Sequence, residues 1–317
     1  MRIGRGGAMV AALSLLAGCG GGSGAAAVSA APAPALAPAP APTPAPAPTP
    51  APTPAPAPSY RLLFADEFNA GTLDRSRWNV EGPAFWVNNE LQAYVDSPET
   101  ISFANAAGAD GGALVLKPVR RAGYVTPGGR RTDYVSGRIN TADKVDLTFG
   151  KVEARIRLTG AMGVWPAFWL LGYGTWPDSG EIDIMENVGD KAWTNAAIHG
   201  PGYSGDTPLV QRFEFPAGED ATGWHVYGVE RTADVVIFTV DGREYYRVTR
   251  AVVERYGAWR FDRKQYLILN FAIGGVYPAK VNGVTAPWQG LPQTTLDSID
   301  RGEAAMAVDW VRVWTAN

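Results

Sequence analysis

Cysteine is almost missing from this chain: the single one among 317 residues is Cys19, near the N-terminus. The sequence from Ser59 onward therefore has no intramolecular disulfide, and core burial must hold it together. Cationic charge is scarce as well. With 28 Lys and Arg against 31 Asp and Glu, the formal net charge is −3 and the chain is mildly acidic. That argues against nucleic acid as a ligand, because a phosphate backbone calls for clustered basic side chains; an uncharged or weakly charged partner fits better. Long helical periodicity is also absent, which points away from bundles and toward sheets.

The first 58 residues contain almost nothing that can build a core, so one domain of roughly 250 residues is expected to follow. Arg2 and Arg5 precede a short apolar run from Ala8 to Ala17, the arrangement of an export signal and too short to span a bilayer. Leu16-Ala17-Gly18-Cys19 resembles the lipobox of bacterial lipoproteins, in which the cysteine becomes the lipidated first residue after cleavage. The expected organisation is a lipoprotein signal peptide over 1–18, a linker over 19–58 and a catalytic domain over 59–317. Gly20 after the cysteine favours, by the same resemblance, the outer membrane of a two-membrane envelope, with plain secretion as the alternative. Residues 31–58 alternate proline with Ala or Thr, which removes backbone donors and fixes φ. Such a polyproline II stretch reaches about 80–90 Å at 3.1 Å per residue, a stalk that holds a monomeric domain off a membrane.

Beyond the stalk the pattern is one of many short strands: 61–64, 112–118, 135–142, 150–158, 167–171, 180–187, 195–199, 224–231, 235–240, 265–273 and 307–314. Several alternate strictly, as in Lys151-Val152-Glu153-Ala154-Arg155-Ile156, charged on one face and apolar on the other. Asp241-Gly242 is a hairpin signal. An antiparallel all-β sandwich follows.

The sharpest chemical feature is Gly180-Glu181-Ile182-Asp183-Ile184-Met185-Glu186-Asn187. On a strand of period two, Glu181 and Asp183 share a face while Glu186 points away. One extra residue resets the alternation, so a β-bulge at Ile184-Met185 is predicted, bringing Glu186 back to the face of the other two. Two carboxylates on a concave sheet suit glycoside hydrolysis, where one acts as nucleophile and the other as acid and then base. Crowding three acids raises at least one pKa and keeps a general acid protonated near neutral pH. Trp165, Trp169 and Trp176 gather just upstream, and aromatic platforms beside carboxylates suit the apolar faces of sugar rings. The bland alternatives for such a motif are an acidic solvent face or a calcium site.

With these residues in hand, the chain resembles glycoside hydrolase family 16, in particular its laminarinase-like endo-β-1,3-glucanases, from about Tyr60 to Trp314. The resemblance rests on Asp66-Glu67-Phe68, Asn88-Asn89-Glu90-Leu91-Gln92-Ala93-Tyr94, Ser136-Gly137-Arg138-Ile139, Trp165-Pro166-Ala167-Phe168-Trp169, the acidic strand, His199-Gly200 and Val308-Asp309-Trp310. It implies a concanavalin-like jelly-roll β-sandwich with a substrate cleft on the concave sheet. It further implies a retaining mechanism with Glu181 as nucleophile, Asp183 as its assistant and Glu186 as acid/base, and no catalytic cofactor. Met185 matches the bulged form of the motif found in laminarinases. Asn89, Arg138, Trp165, Trp169 and His199 match positions that contact sugar, and Trp176 joins them by proximity. Glu67, Asp309 and the carbonyl of Gly112 resemble a structural calcium site on the opposite sheet, whereas His225 reads as structural. The competing readings are the same fold acting on mixed-linkage glucan, agar, carrageenan or xyloglucan, a transglycosylase, a non-catalytic glucan-binding module and a wall-anchoring protein.

Overall fold

The computed structural model describes residues 59–316; the expected signal peptide, Cys19 and the proline stalk lie outside the described residues. Two antiparallel eight-stranded sheets pack face to face. The first runs Arg243–Thr249, Val235–Val240, His225–Arg231, Gly150–Arg157, Met306–Ala316, Ala113–Leu116, Ile101–Ala104, with Tyr60–Asp66 also on Met306–Ala316. The second runs Leu209–Glu214, Trp193–His199, Glu181–Glu186, Val164–Gly172, Gln265–Ile273, Arg138–Asn140, Asn79–Val80, with Asp146–Leu147 also on Gln265–Ile273. This is the jelly-roll sandwich.

The alternation seen in the sequence decides what lies between the sheets. Val152, Ala154 and Ile156 of the first sheet, with Tyr227, Val229, Val311 and Val313, meet Phe168, Leu170, Ile182, Ile198, Leu267, Leu269 and Phe271 of the second in one apolar cluster. Truncating a side chain such as the fully buried Phe168 to alanine costs about 3–5 kcal/mol in such a core. Gln265–Ile273 is buried at nearly every position because its outer face floors a cleft rather than meeting bulk water. The hairpin at Asp241-Gly242 closes Val235–Val240 onto Arg243–Thr249, with both turn residues at positive φ of 52° and 74° as the primed turn requires.

Two departures from the sequence reading matter for the site. The strand expected over 135–142 is two strands, Arg131–Ser136 in a small third sheet and Arg138–Asn140 in the concave one. The switch falls at Gly137, where a Cβ would stand 2.6 Å from the Thr100 carbonyl oxygen, so the backbone there passes closer than any side chain allows. Two helices, Val276–Asn282 and Gln293–Asp300, fall in a stretch where the sequence reading placed no element. Leu209–Glu214 and Arg243–Thr249 are further strands that the sequence reading did not include.

Candidate active site

The acidic strand carries the predicted bulge. Asp183 pairs with Ala197 and Glu186 with Asn195, so Ile184 and Met185 together oppose the single residue Ala196. On the other edge Trp169 faces Asp183 while Phe168 faces Met185, leaving Ile184 as the extra residue. Ile184 and Met185 are both buried in the core, and the pleat resumes with Glu186 turned back to the cleft. Glu181, Asp183 and Glu186 consequently line one cavity of about 1230 Å³.

Each outer acid is held by an indole. Trp176 Nε1 donates to Glu181 Oε2 at 3.0 Å, and Trp165 Nε1 donates to Glu186 Oε1 at 2.8 Å. Asn195 Nδ2 gives Glu186 Oε2 a second bond of 3.1 Å, and Tyr277 orients that amide by donating to Asn195 Oδ1 at 3.0 Å. Trp169 is spent differently: its Nε1 donates to Asn270 Oδ1 at 2.7 Å, which locks the indole as a fixed wall. His199 stands across from the acids, its Nε2 at 3.2 Å from Asp183 Oδ2 and 3.8 Å from Glu181 Oε1. The first contact is poorly aligned, and Asp183 Oδ2 remains a buried acceptor without a hydrogen bond.

Among the described residues no guanidinium or ammonium pairs with the three acids, and burial dominates their titration. Burial pushes Glu181 up to about 8, with the Asp183 charge adding to this, His199 opposing it and Glu186 adding again. Burial, then the charge of Glu186, holds Asp183 well above the ordinary aspartate range, against a hydrogen bond with Glu181. Burial raises Glu186 too, while the bonds from Trp165 and Asn195 and the nearby His199 work the other way. The trio as a unit therefore keeps protons into the neutral range, and its titration steps belong to the cluster.

The other sequence-derived residues divide. Arg138 lines the cavity, buried among rings, with its guanidinium 4.1 Å from the Phe85 centroid and 4.9 Å from that of Trp169. Asn89 does not line it. Asn88 and Asn89 both adopt a positive φ of 55°; Asn88 lines the cavity while Asn89 Nδ2 bonds Gln289 Oε1 at 2.6 Å. His225 is structural, held by Asp241 Oδ2 at 2.7 Å and the Asp220 carbonyl at 3.0 Å. Sequence reasoning missed Phe85, Glu90, Asn195, Asn270 and Tyr277; Asn195 and Asn270 sit on the same side of their strands as His199 and Ala272, a period-two signal that was available.

The residues offered to calcium do not fit that ion as placed. Both oxygens of Glu67 accept from Arg312 at 2.9 Å, and Asp309 accepts from Arg155 Nη1 at 2.5 Å and from the Asp110 amide at 3.0 Å. Among the described residues, the side chains whose ligand atoms gather within 4.8 Å are instead Glu181, Asp183 and His199 of the cleft.

A jelly-roll whose concave face carries paired glutamates between tryptophans defines a glycoside hydrolase, and comparison with known proteins agrees. Residues 94–290 match the family model described as glycosyl hydrolases family 16, and the chain belongs to that family. It is 35% identical to the glucan endo-1,3-beta-glucosidase A1 of Niallia circulans over 80% of this chain, spanning 37% of that longer protein. It is 32% identical to the beta-glucanase of Rhodothermus marinus, over 80% of this chain and 85% of the relative. Among solved structures, the laminarinase catalytic domain of Thermotoga maritima MSB8 superimposes with a TM-score of 0.68 at 32% identity, covering 81% of this chain and 99% of that one.

Proposed function

We propose that this chain hydrolyses internal β-1,3-glucosidic bonds of laminarin-type glucans with retention of anomeric configuration. The observation that carries the reading is the bulge at Ile184-Met185, which returns Glu186 to the face of Glu181 and Asp183 inside a tryptophan-lined cleft. Support for the linkage comes from the relatives, named as endo-1,3-β-glucosidase and laminarinase.

In this mechanism Glu181 attacks the anomeric carbon while the protonated Glu186 gives its proton to the departing glycosidic oxygen, forming a glycosyl ester. Water then attacks the same carbon, Glu186 takes its proton, and the ester bond to Glu181 breaks. Burial holds the Glu181 proton up to about 8, and the nearby His199 and the Trp176 N–H on Glu181 Oε2 are the groups that work against it and favour the ionised nucleophile. Trp165, Trp169 and Arg138 bind sugar beside the acids, with Asn88 in the place expected for Asn89.

The test is reducing-sugar release from laminarin, lichenan, xyloglucan and agarose. Preferential laminarin cleavage that disappears in both Glu181→Gln and Glu186→Gln supports the reading; another preferred polymer keeps the mechanism and replaces the substrate. Activity that survives both substitutions removes the chemistry from these residues. We further infer export and lipid anchoring at Cys19, on the Leu16-Ala17-Gly18-Cys19 run. Cys19→Ala then releases the protein from the membrane fraction, and retention there contradicts the anchor.

A further inference from the structure

Two segments wall the cleft toward its edge strand Leu209–Glu214. The connection 200–208 begins at His199, which pairs with Glu181, and so rises from that end of the strands. Val276–Asn282 follows Ile273, which pairs with Val164 at the opposite end. The floor lies between these two walls. Gly275, at a φ of 103° and with only 2.7 Å between a built Cβ and the Asn88 carbonyl oxygen, lets the chain turn sharply into the helix. Tyr277 then pins the helix, donating to Asn195 and standing 5.4 Å from the Trp165 ring at an edge-on angle.

An ion pair joins the two walls. Lys280 Nζ lies 3.0 Å from Asp206 Oδ1 and 3.4 Å from the Asp206 carbonyl oxygen. Both residues line the same cavity as the three acids, and so do Val210 and Arg212 of the strand Leu209–Glu214, which forms the free edge of the sheet. The exposed apolar side chains Val210, Val276 and Val281 face this arm as well. Resting on the glucanase reading above, we propose that Asp206 and Lys280 form an electrostatic strap over the edge-strand arm. An internal segment of a polymer enters this arm only when the strap parts, whereas the end of a short oligosaccharide threads beneath it. The pair thereby sets the preference of the enzyme between polymer and oligosaccharide.

The strength of the contact suits that task. With side chains 59% and 90% exposed, this is a surface ion pair of modest strength that opens readily, which is what endo cleavage requires. Its removal is worth about two- to fivefold in a rate ratio. The experiment measures kcat/KM of the full chain on laminarin relative to laminaripentaose, at low and high salt. In Lys280→Ala and in Asp206→Ala the ratio rises about two- to fivefold, the charge swap Asp206→Lys with Lys280→Asp returns it toward the original value, and salt raises it only where the pair is intact. An unchanged ratio in both single variants overturns the strap, as does a ratio that stays raised in the swap. Failure of the unaltered chain to cleave either substrate overturns the glucanase reading itself, and this inference with it.

Discussion

Two groups of acids sit on opposite sheets and are treated in opposite ways. Glu67 and Asp309, on the convex side, are each met by a guanidinium, Arg312 for one and Arg155 for the other. Glu181, Asp183 and Glu186, on the concave side, receive indole and amide N–H groups, and among the described residues no guanidinium or ammonium pairs with them. The convex acids are compensated and hold strands together. The concave acids are buried without a paired guanidinium and hold protons into the neutral range instead, an arrangement that folding alone does not explain and that acid–base chemistry does.

This contrast orders the expected effects of substitution. Glu181→Gln loses more than about a thousandfold in kcat, because the covalent step has no nucleophile. Glu186→Gln loses about 10²–10⁴-fold, the range for a general acid and base, and both losses are read from initial rates on laminarin. Trp176→Phe keeps the ring but removes the donor to Glu181, and a bond to a charged group makes this about a ten- to hundredfold loss in kcat/KM. The convex acids behave otherwise. Asp309→Ala leaves Arg155 with the Gly108 carbonyl but without its carboxylate and costs about 1.5–3 kcal/mol of stability by denaturant titration. The Glu67 pair is more exposed, and Glu67→Gln costs only about 0–1 kcal/mol. A convex variant that lost kcat while remaining folded would break the contrast.

The same contrast has a pH signature. Glu181 keeps its proton in the folded state up to about 8, whereas the unfolded chain releases it near the ordinary glutamate value of 4.5. Folding stability attached to this group is therefore fully present below the unfolded value and lost as pH rises through the folded one. Glu181→Gln removes that penalty, so the variant melts at a higher temperature than the unaltered chain near pH 8 and shows no such gain near pH 4. Each kcal/mol is worth about 2–4 °C for a domain of this size.

What the sequence made legible was local. Period-two alternation in Gly150–Arg157 and the turn at Asp241-Gly242 require only neighbours along the chain, and the bulge followed from asking how three acids at this spacing share one face. What escaped depends on distant partners. The break at Gly137 is set by contact with Thr100. Val276–Asn282 is seven residues with a proline inside, a weak helix in isolation that is held by Tyr277 on Asn195. Glu67 and Arg312 are 245 residues apart, so their pairing had no local signal. Asn89 is the residue the resemblance places in the cleft, but it bonds Gln289, 200 residues away, while Asn88 lines the cavity.

The central claim is that Glu181 and Glu186 carry out two successive displacements at one carbon. Proton NMR of laminarin during the first minutes of cleavage tests it most directly, by reading the reducing ends before they mutarotate. The account predicts that the β-anomer appears first and the α-anomer grows in later. An α-anomer that appears first would mean a single displacement by water, and would contradict the role given to Glu181.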